Sequence, residues 1–450
     1  MSRFIPVNRY TDYLLPPSVD DWLPENHLAR FIVEVVDQLD LTKLTRKYTG
    51  RGSAAHHPSV LLGLLVYGYG TGVFSSRKIE RASYDSVAFR FIAANTHPDH
   101  DTLAHFRKTH LAELEDLFVQ VLQLAQAMKL VKLGQIALDG TKVKANASKH
   151  KALSHGHIEK LETQLRAEVQ TLLAKAETAD REGLAEGVDL PEEIVRREER
   201  LAALAEAKAK IQARAEERLQ QEQQAYEAKA ARREAQRQAG QKPRGKEPKP
   251  PESGPKDQDQ VNLTDEESRI MPVSGGFEQA YNAQAAVDTD TMLIIATGMT
   301  QQPNDKQQVA PMLDKLQALP ESLGTIDSLI ADNGFFSAAN VKACADRHIE
   351  PLMALGREAH HLPLEERLRA DAPLPETADP VVKMAAKLKT QQGRKRYGRR
   401  KCTVEPVFGI IKQVMGFRQF LLRGLEAVTG EWQLVTMAFN LKRMHVLCGV

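Results

Sequence analysis

The chain has 450 residues, 42% of them apolar, which is enough to build sizeable cores in two or three domains. A formal net charge of +2 discloses nothing about partners, so the distribution of charge has to be read instead. Three scattered cysteines, Cys344, Cys402 and Cys448, exclude a disulfide framework or a zinc ribbon and fit a reducing compartment. The start Met1-Ser2-Arg3-Phe4-Ile5-Pro6 lacks an apolar signal core. The longest apolar stretch, near Val60 to Val66, falls short of the ~20 residues a bilayer needs, so a cytoplasmic protein with no membrane partner is expected.

Residues 1 to about 25, with Pro6, Pro16, Pro17 and Pro24, read as an irregular lead-in. Leu28, Phe31, Ile32, Val35, Val36 and Leu39 then recur at helical spacing, and Pro58 opens a second apolar helix. Ser75-Ser76 precedes a third helix and Ser86 starts a fourth; Asp101-Thr102 reads as the cap of a helix that continues to Met128. His97-Pro98-Asp99-His100 has metal-like spacing, but without a further ligand cluster it reads as the loop into that cap. Residues 1–130 are therefore expected to form a helical domain. At Gly134 the texture changes. Gln135-Ile136-Ala137-Leu138-Asp139 is a short apolar run ending in an acid, with Gly140-Thr141-Lys142-Val143 as strand and turn.

From 151 to 231, Ile158, Leu161, Leu165, Val169 and Leu172, and later Ile194, Leu201, Leu204, Ile211, Ala215 and Leu219, step by three, four and seven. With Gly183 and Gly187 between them, these stripes predict an antiparallel coiled-coil hairpin. Residues 232–261 read as a basic disordered loop, with eight Lys or Arg against three Glu between Arg232 and Lys256. Strand texture returns at Tyr281–Val287, Met292–Thr297, Ser328–Ala331 and Pro351–Leu355, with a helix from Asp305 to Leu316. Ser328-Leu329-Ile330-Ala331 ends at Asp332 and the turn Asn333-Gly334. Residues 357–380 read as loop-rich, Glu405 opens a helix, and Thr429–Leu447 is the last one. Residues 131–150 and 262–450 thus describe one α/β domain interrupted by a long insertion.

Two features carry chemistry. Asp139 and Asp332 both close short apolar strands, and Glu405 starts an amphipathic helix with Lys412 two turns along its face. Phosphodiester transfer by two divalent metals requires carboxylates that converge in this way, because hard cations prefer oxygen ligands. An acid after an apolar run is also an ordinary turn residue, and Glu405 alone is also an acid favoured by the helix dipole; spacing does not choose. Second, Lys383 to Arg423 holds twelve Lys or Arg and the single acid Glu405, a local balance of +11. Such a stripe suits a polyanion such as DNA, and equally a solvated basic face.

Leu138-Asp139-Gly140-Thr141-Lys142-Val143-Lys144-Ala145-Asn146-Ala147-Ser148, Ala331-Asp332-Asn333-Gly334-Phe335 and Val404-Glu405-Pro406-Val407-Phe408-Gly409-Ile410-Ile411-Lys412 resemble, in that order, the DDE transposases of bacterial insertion sequences. So do Tyr281–Asp288, Gln302-Pro303-Asn304-Asp305-Lys306 and Phe417–Gly424, and the similarity runs from about residue 15 to the end. The resemblance implies an RNase H-like mixed-sheet catalytic domain with a coiled-coil insertion, preceded by an all-helical N-terminal domain that binds DNA. It implies Asp139, Asp332 and Glu405 as catalytic, metal-binding triad for two Mg²⁺ ions, with Mn²⁺ as a substitute.

The implied reaction is cleavage at element ends followed by strand transfer into target DNA, in cut-and-paste or a related mode. The implied assembly is a homodimer or higher oligomer on the terminal inverted repeats and target DNA, associated with the nucleoid when bound. Rival readings are an inactive DNA-binding scaffold and an RNase H-like nuclease without strand transfer. Lys412, Lys401, Arg400, Arg399, Arg418 and Arg423 are the expected DNA contacts. The family's signature sets Tyr, Arg, Glu and Lys at fixed intervals. Glu405 and Lys412 match it, whereas Lys401 falls at the Arg position, Gly398 at the Tyr position, and Tyr397 stands one residue early. Some relatives stack a Trp of the inserted region on a flipped base; here the two Trp are Trp22 and Trp432, outside it.

Overall fold

A computed structural model of the protein describes residues 18–48, 55–182, 190–243, 245–356, 371, 373–376 and 379–449. The described strands are β1 (Leu133–Lys144), β2 (Ala152–Ser154), β3 (Gln260–Asn262), β4 (Arg269–Val273), β5 (Gly276–Asp288), β6 (Ile294–Thr300), β7 (Gly324–Ala331) and β8 (Glu350–Met353). The chain divides into two compact units, Met1–Asn146 with Ala280–Val450, and Ala147–Gln279.

In the first unit the strands run β6-β5-β1-β7-β8. β5 is antiparallel to both β1 and β6, whereas β7 is parallel to β1 and β8 to β7. The parallel pairings need crossovers, which the helices Val309–Gln317 and Ala338–Asp346 supply. Ile136-Ala137-Leu138 and Leu329-Ile330-Ala331 are buried without alternation, as strands covered on both faces must be. β1 does not turn after Asp139. It runs through Gly140 to Lys144, because β5 pairs with it along the whole stretch.

The helix Leu425–Leu447 begins four residues before the Thr429 expected from sequence and is buried along most of its length. Trp432 Nε1 donates to the Gln284 carbonyl at 3.1 Å, and the Asn440 amide exchanges two bonds with the Ile294 backbone of β6. On its other sides this helix packs against the helices Pro58–Thr71 and Leu114–Ala127. The N-terminal helices and the sheet therefore share a core. Pro58–Thr71 shows no polar stripe because it is buried from Leu61 to Gly70. Among the described residues no single helix is long and apolar enough to cross a membrane. A buried polar chain ties the ends of the unit together. Arg107 donates to the Tyr69 hydroxyl at 2.9 Å, Tyr69 donates to Glu431 Oε1 at 2.7 Å, and Glu431 Oε2 accepts from the backbone of Leu421 and Leu422. Asp99, not Asp101, caps the helix His100–Thr109, accepting from Thr102 N at 2.7 Å. His100 is held by Glu80, and His97 stacks on Tyr84.

In the second unit β2 pairs with β3, and the helices His155–Glu182 and Leu190–Gln238 pack through Ile158, Leu165, Leu204, Ala207 and Ile211. Glu159 and Glu162 pair with Lys208, and Glu168 with Arg197, so numbers rise along one helix as they fall along the other: the pair is antiparallel. The turn expected at Gly183 and Gly187 lies outside the described residues, as does most of 357–380. The second helix runs to Gln238, past the Arg232 at which the sequence reading began a loop, because Ala, Arg, Gln and Glu are good helix formers.

Candidate active site

The parallel register sets up the site. Leu138 pairs with Ala331 as the last β1–β7 partners, so Asp139 and Asp332 emerge side by side at the next step. Asp332 caps the turn Asn333–Phe335, with Oδ1 accepting from Gly334 N at 2.8 Å. Asp139 Oδ1 accepts from Gly140 N at 2.8 Å. Its Oδ2 meets Arg400 Nη1 at 3.2 Å, and Arg400 Nη2 reaches Glu405 Oε1 at 2.8 Å. One guanidinium thus bridges the first and third acids of the sequence reading, while Glu405 sits in the first turn of the helix Val404–Gly409. Burial pushes the Asp139 carboxyl up to about 7, and the charges of Asp332 and Asp305 add to the shift against the Gly140 amide and Arg400.

The sequence-derived cations separate into distinct roles. Arg400, assigned from sequence to a phosphate, bonds the acids. Lys401 at the signature position is exposed. Tyr397, whose charge acts on Arg400, and Arg400 keep the signature's mutual spacing; both are displaced by one residue relative to Glu405. The extra residue falls where a 3₁₀ turn, Arg399–Cys402, is followed by Thr403 at φ −121°, ψ −85° before the Glu405 helix. Retained Tyr-x-x-Arg spacing was the signal that could have found Arg400. Lys412 donates to Thr141 Oγ1 at 2.6 Å and to the Lys142 carbonyl at 2.8 Å, tying its helix to β1. Burial, with the charge of Lys142, lowers its pKa. Arg399 turns to the Thr289 carbonyl and Asp290. Arg418 and Arg423 are exposed, the first bonded to the Lys412 carbonyl and Gln413, the second to the Asn146 carbonyl.

Sequence reading did not single out Asp305 as a site residue. Its Oδ1 accepts from Asn282 Nδ2 at 2.6 Å and Gln284 Nε2 at 2.7 Å, and Lys142 Nζ stands 3.7 Å away. Among the described residues no three His, Cys, Asp or Glu stand close enough together to hold a metal ion.

An RNase H-like sheet, with acids following two adjacent parallel strands and a third on a later helix, defines the class of polynucleotidyl phosphodiester enzymes. The comparisons make this specific. Residues 248–441 match the transposase DDE domain family, and residues 17–109 match a second transposase domain family. The chain belongs to the DDE transposases of insertion-sequence type. Asp332 and Glu405 lie inside the first match, and Asp139 lies before it. Neither a curated protein nor a solved structure matches the chain.

Proposed function

We propose that this transposase cleaves DNA at the ends of its insertion sequence and joins the freed 3′-hydroxyl to target DNA, with Asp139, Asp332 and Glu405 as its catalytic carboxylates. The observation that carries the reading is the Leu138–Ala331 register, which leaves Asp139 and Asp332 adjacent at one sheet edge, with Arg400 joining Glu405 to them. The donor set fits Mg²⁺ or Mn²⁺: every candidate ligand is a hard carboxylate, and the acids crowd enough charge around Asp139 to hold its proton to about pH 7. Asp139 and Asp332 would hold the metal ions, Asp139 shared between them, and Glu405 would complete one site. Bound there, two divalent ions supply an activated water and charge neutralisation at the attacking and leaving oxygens.

The chain's own groups do the rest. Asp139 gives up its proton on becoming a ligand, and Arg400 exchanges a carboxylate partner for a phosphate oxygen, its fork suiting either. Exposed Lys401, Arg418 and Arg423 neutralise backbone phosphates further out, and Lys412 fixes the Glu405 helix against β1. The working form on DNA is a homodimer or larger assembly.

The test uses full-length protein, Mg²⁺ and a duplex carrying the DNA immediately outside the gene's reading frame. Wild type yields nicked or cut ends and strand-transfer products, whereas Asp139→Asn, Asp332→Asn and Glu405→Gln yield neither. Normal cleavage by any one variant removes that residue from the set, and cleavage with no joined product reduces the activity to that of a nuclease.

A further inference from the structure

One cluster at the same sheet edge is left unused by the three acids. β5 presents Asn282 and Gln284, two residues apart and so on one face of the sheet, both fully buried. Each donates its amide to the same oxygen of Asp305. Lys142, the register partner of Asn282 on β1, brings its ammonium to that oxygen as well, with a side chain only 16% exposed. Gly140 makes the arrangement possible, because a Cβ there would collide with Asp305 Oδ1 and Gln284 Nε2.

A purely structural origin fits poorly. The carbonyl oxygens of Asn282 and Gln284 are buried without a hydrogen-bond partner, at a cost of about 1–3 kcal/mol each. Asp305 also adds negative charge beside Asp139, where a neutral side chain would sit more comfortably. Energy is spent here to hold a carboxylate and a lysine. The charges of Asp139 and Asp332 both act on Lys142, so its ammonium stands beside the pair.

We propose that Lys142 is a catalytic residue that meets a non-bridging oxygen of the scissile phosphate beside Asp139 and Asp332, and that Asp305, fixed by Asn282 and Gln284, is the positioning residue that holds it there. The inference rests on the active-site reading above. When an oxygen nucleophile attacks a phosphodiester, negative charge builds on the non-bridging oxygens. A pre-set ammonium stabilises that state more than the ground state. Lysine suits the role as a compact point charge, and it keeps its proton throughout.

The experiment compares single-turnover cleavage of the flanking-DNA duplex, duplex affinity without divalent metal, and melting midpoint. Lys142→Met and Lys142→Gln should each slow cleavage by about 10²–10³-fold, as loss of one preorganised charge donor does. Affinity and melting midpoint should stay near wild type, and Lys142→Arg should recover part of the rate. Asp305→Asn, which keeps shape and removes charge, should slow cleavage by up to about 10²-fold, as a misplaced group does. The double variant Lys142→Met/Asp305→Asn should be no slower than Lys142→Met alone, because Asp305 acts through Lys142. Wild-type rates for both Lys142 variants, effects that multiply in the double variant, or a rate loss matched by lost affinity would overturn the inference. Asp139→Asn run in parallel separates the two readings. An inactive Asp139→Asn beside normal Lys142 variants sinks this inference alone, whereas an active Asp139→Asn sinks the site itself.

Discussion

In the sheet-bearing unit the functional charges are few, buried and bonded to one another; in the insertion they are many and line the outside of two helices. Glu431 is fully buried and shares bonds with Tyr69 and two backbone amides, and Asp139 is held between Gly140 and Arg400. Arg197, by contrast, pairs with Glu168 and Glu193 at a partly open surface over a short apolar seam. A carboxylate removed from water holds its position only if its partners do, so the first unit converts polar networks into fixed geometry. Ion pairs on the insertion adjust register and solubility and leave the seam to supply the stability.

The largest effect should follow from breaking the buried network. Glu431→Ala leaves the Tyr69 hydroxyl, Arg107 and two amides without their acceptor, and should cost about 3–5 kcal/mol by urea unfolding. A loss below that of an ordinary surface change would erase the contrast between the units. Next comes the seam of the insertion. Leu204→Ala should cost about 2–5 kcal/mol in the transition that reports residues 147–279, with DNA-free folding of the sheet unit retained.

A titration sharpens the comparison further. The folded state holds the Asp139 proton to about pH 7, against 3.8 for an ordinary aspartate. Folding stability from this group is therefore full below about pH 4 and is lost as pH rises through 7, a dependence that Asp139→Asn should abolish. Mn²⁺ competes with the same proton, so its affinity should rise by about tenfold per pH unit up to 7 and level off above. A flat profile in calorimetric titrations would place the metal elsewhere. The smallest effects belong to exposed charges. Arg197→Ala should cost about 0.2–1 kcal/mol, and each of Arg418→Ala and Arg423→Ala should flatten the log–log salt dependence of DNA binding by about one unit.

Much of this was legible from local pattern. Apolar runs ending in Asp139 and Asp332 marked buried strands, because both faces of a parallel sheet are covered. The stripe from Ile158 to Leu219 marked the helix pair. What the sequence hid is non-local. The register that seats Asp139 beside Asp332 depends on strands almost two hundred residues apart. Lys412 reads as a free cation on a basic helix, yet its ammonium is spent on Thr141 and the Lys142 carbonyl. Arg400 could be distinguished from Lys401 only by weighing Tyr397–Arg400 spacing above distance to Glu405, since a 3₁₀ turn absorbs the extra residue. Asp305 and Glu431 look like ordinary surface acids until β5 and the last helix close over them.

The central claim is that Asp139, Asp332 and Glu405 form one divalent-metal site at the end of β1 and β7. Crystals grown with Mn²⁺ and measured across the manganese absorption edge test it without depending on a DNA substrate. The account predicts anomalous density between the Asp139 and Asp332 carboxylates, with Arg400 withdrawn from Asp139, and none in Asp139→Asn crystals. Fully bound manganese elsewhere in the protein, with the Asp139–Arg400–Glu405 bridge intact, would contradict it.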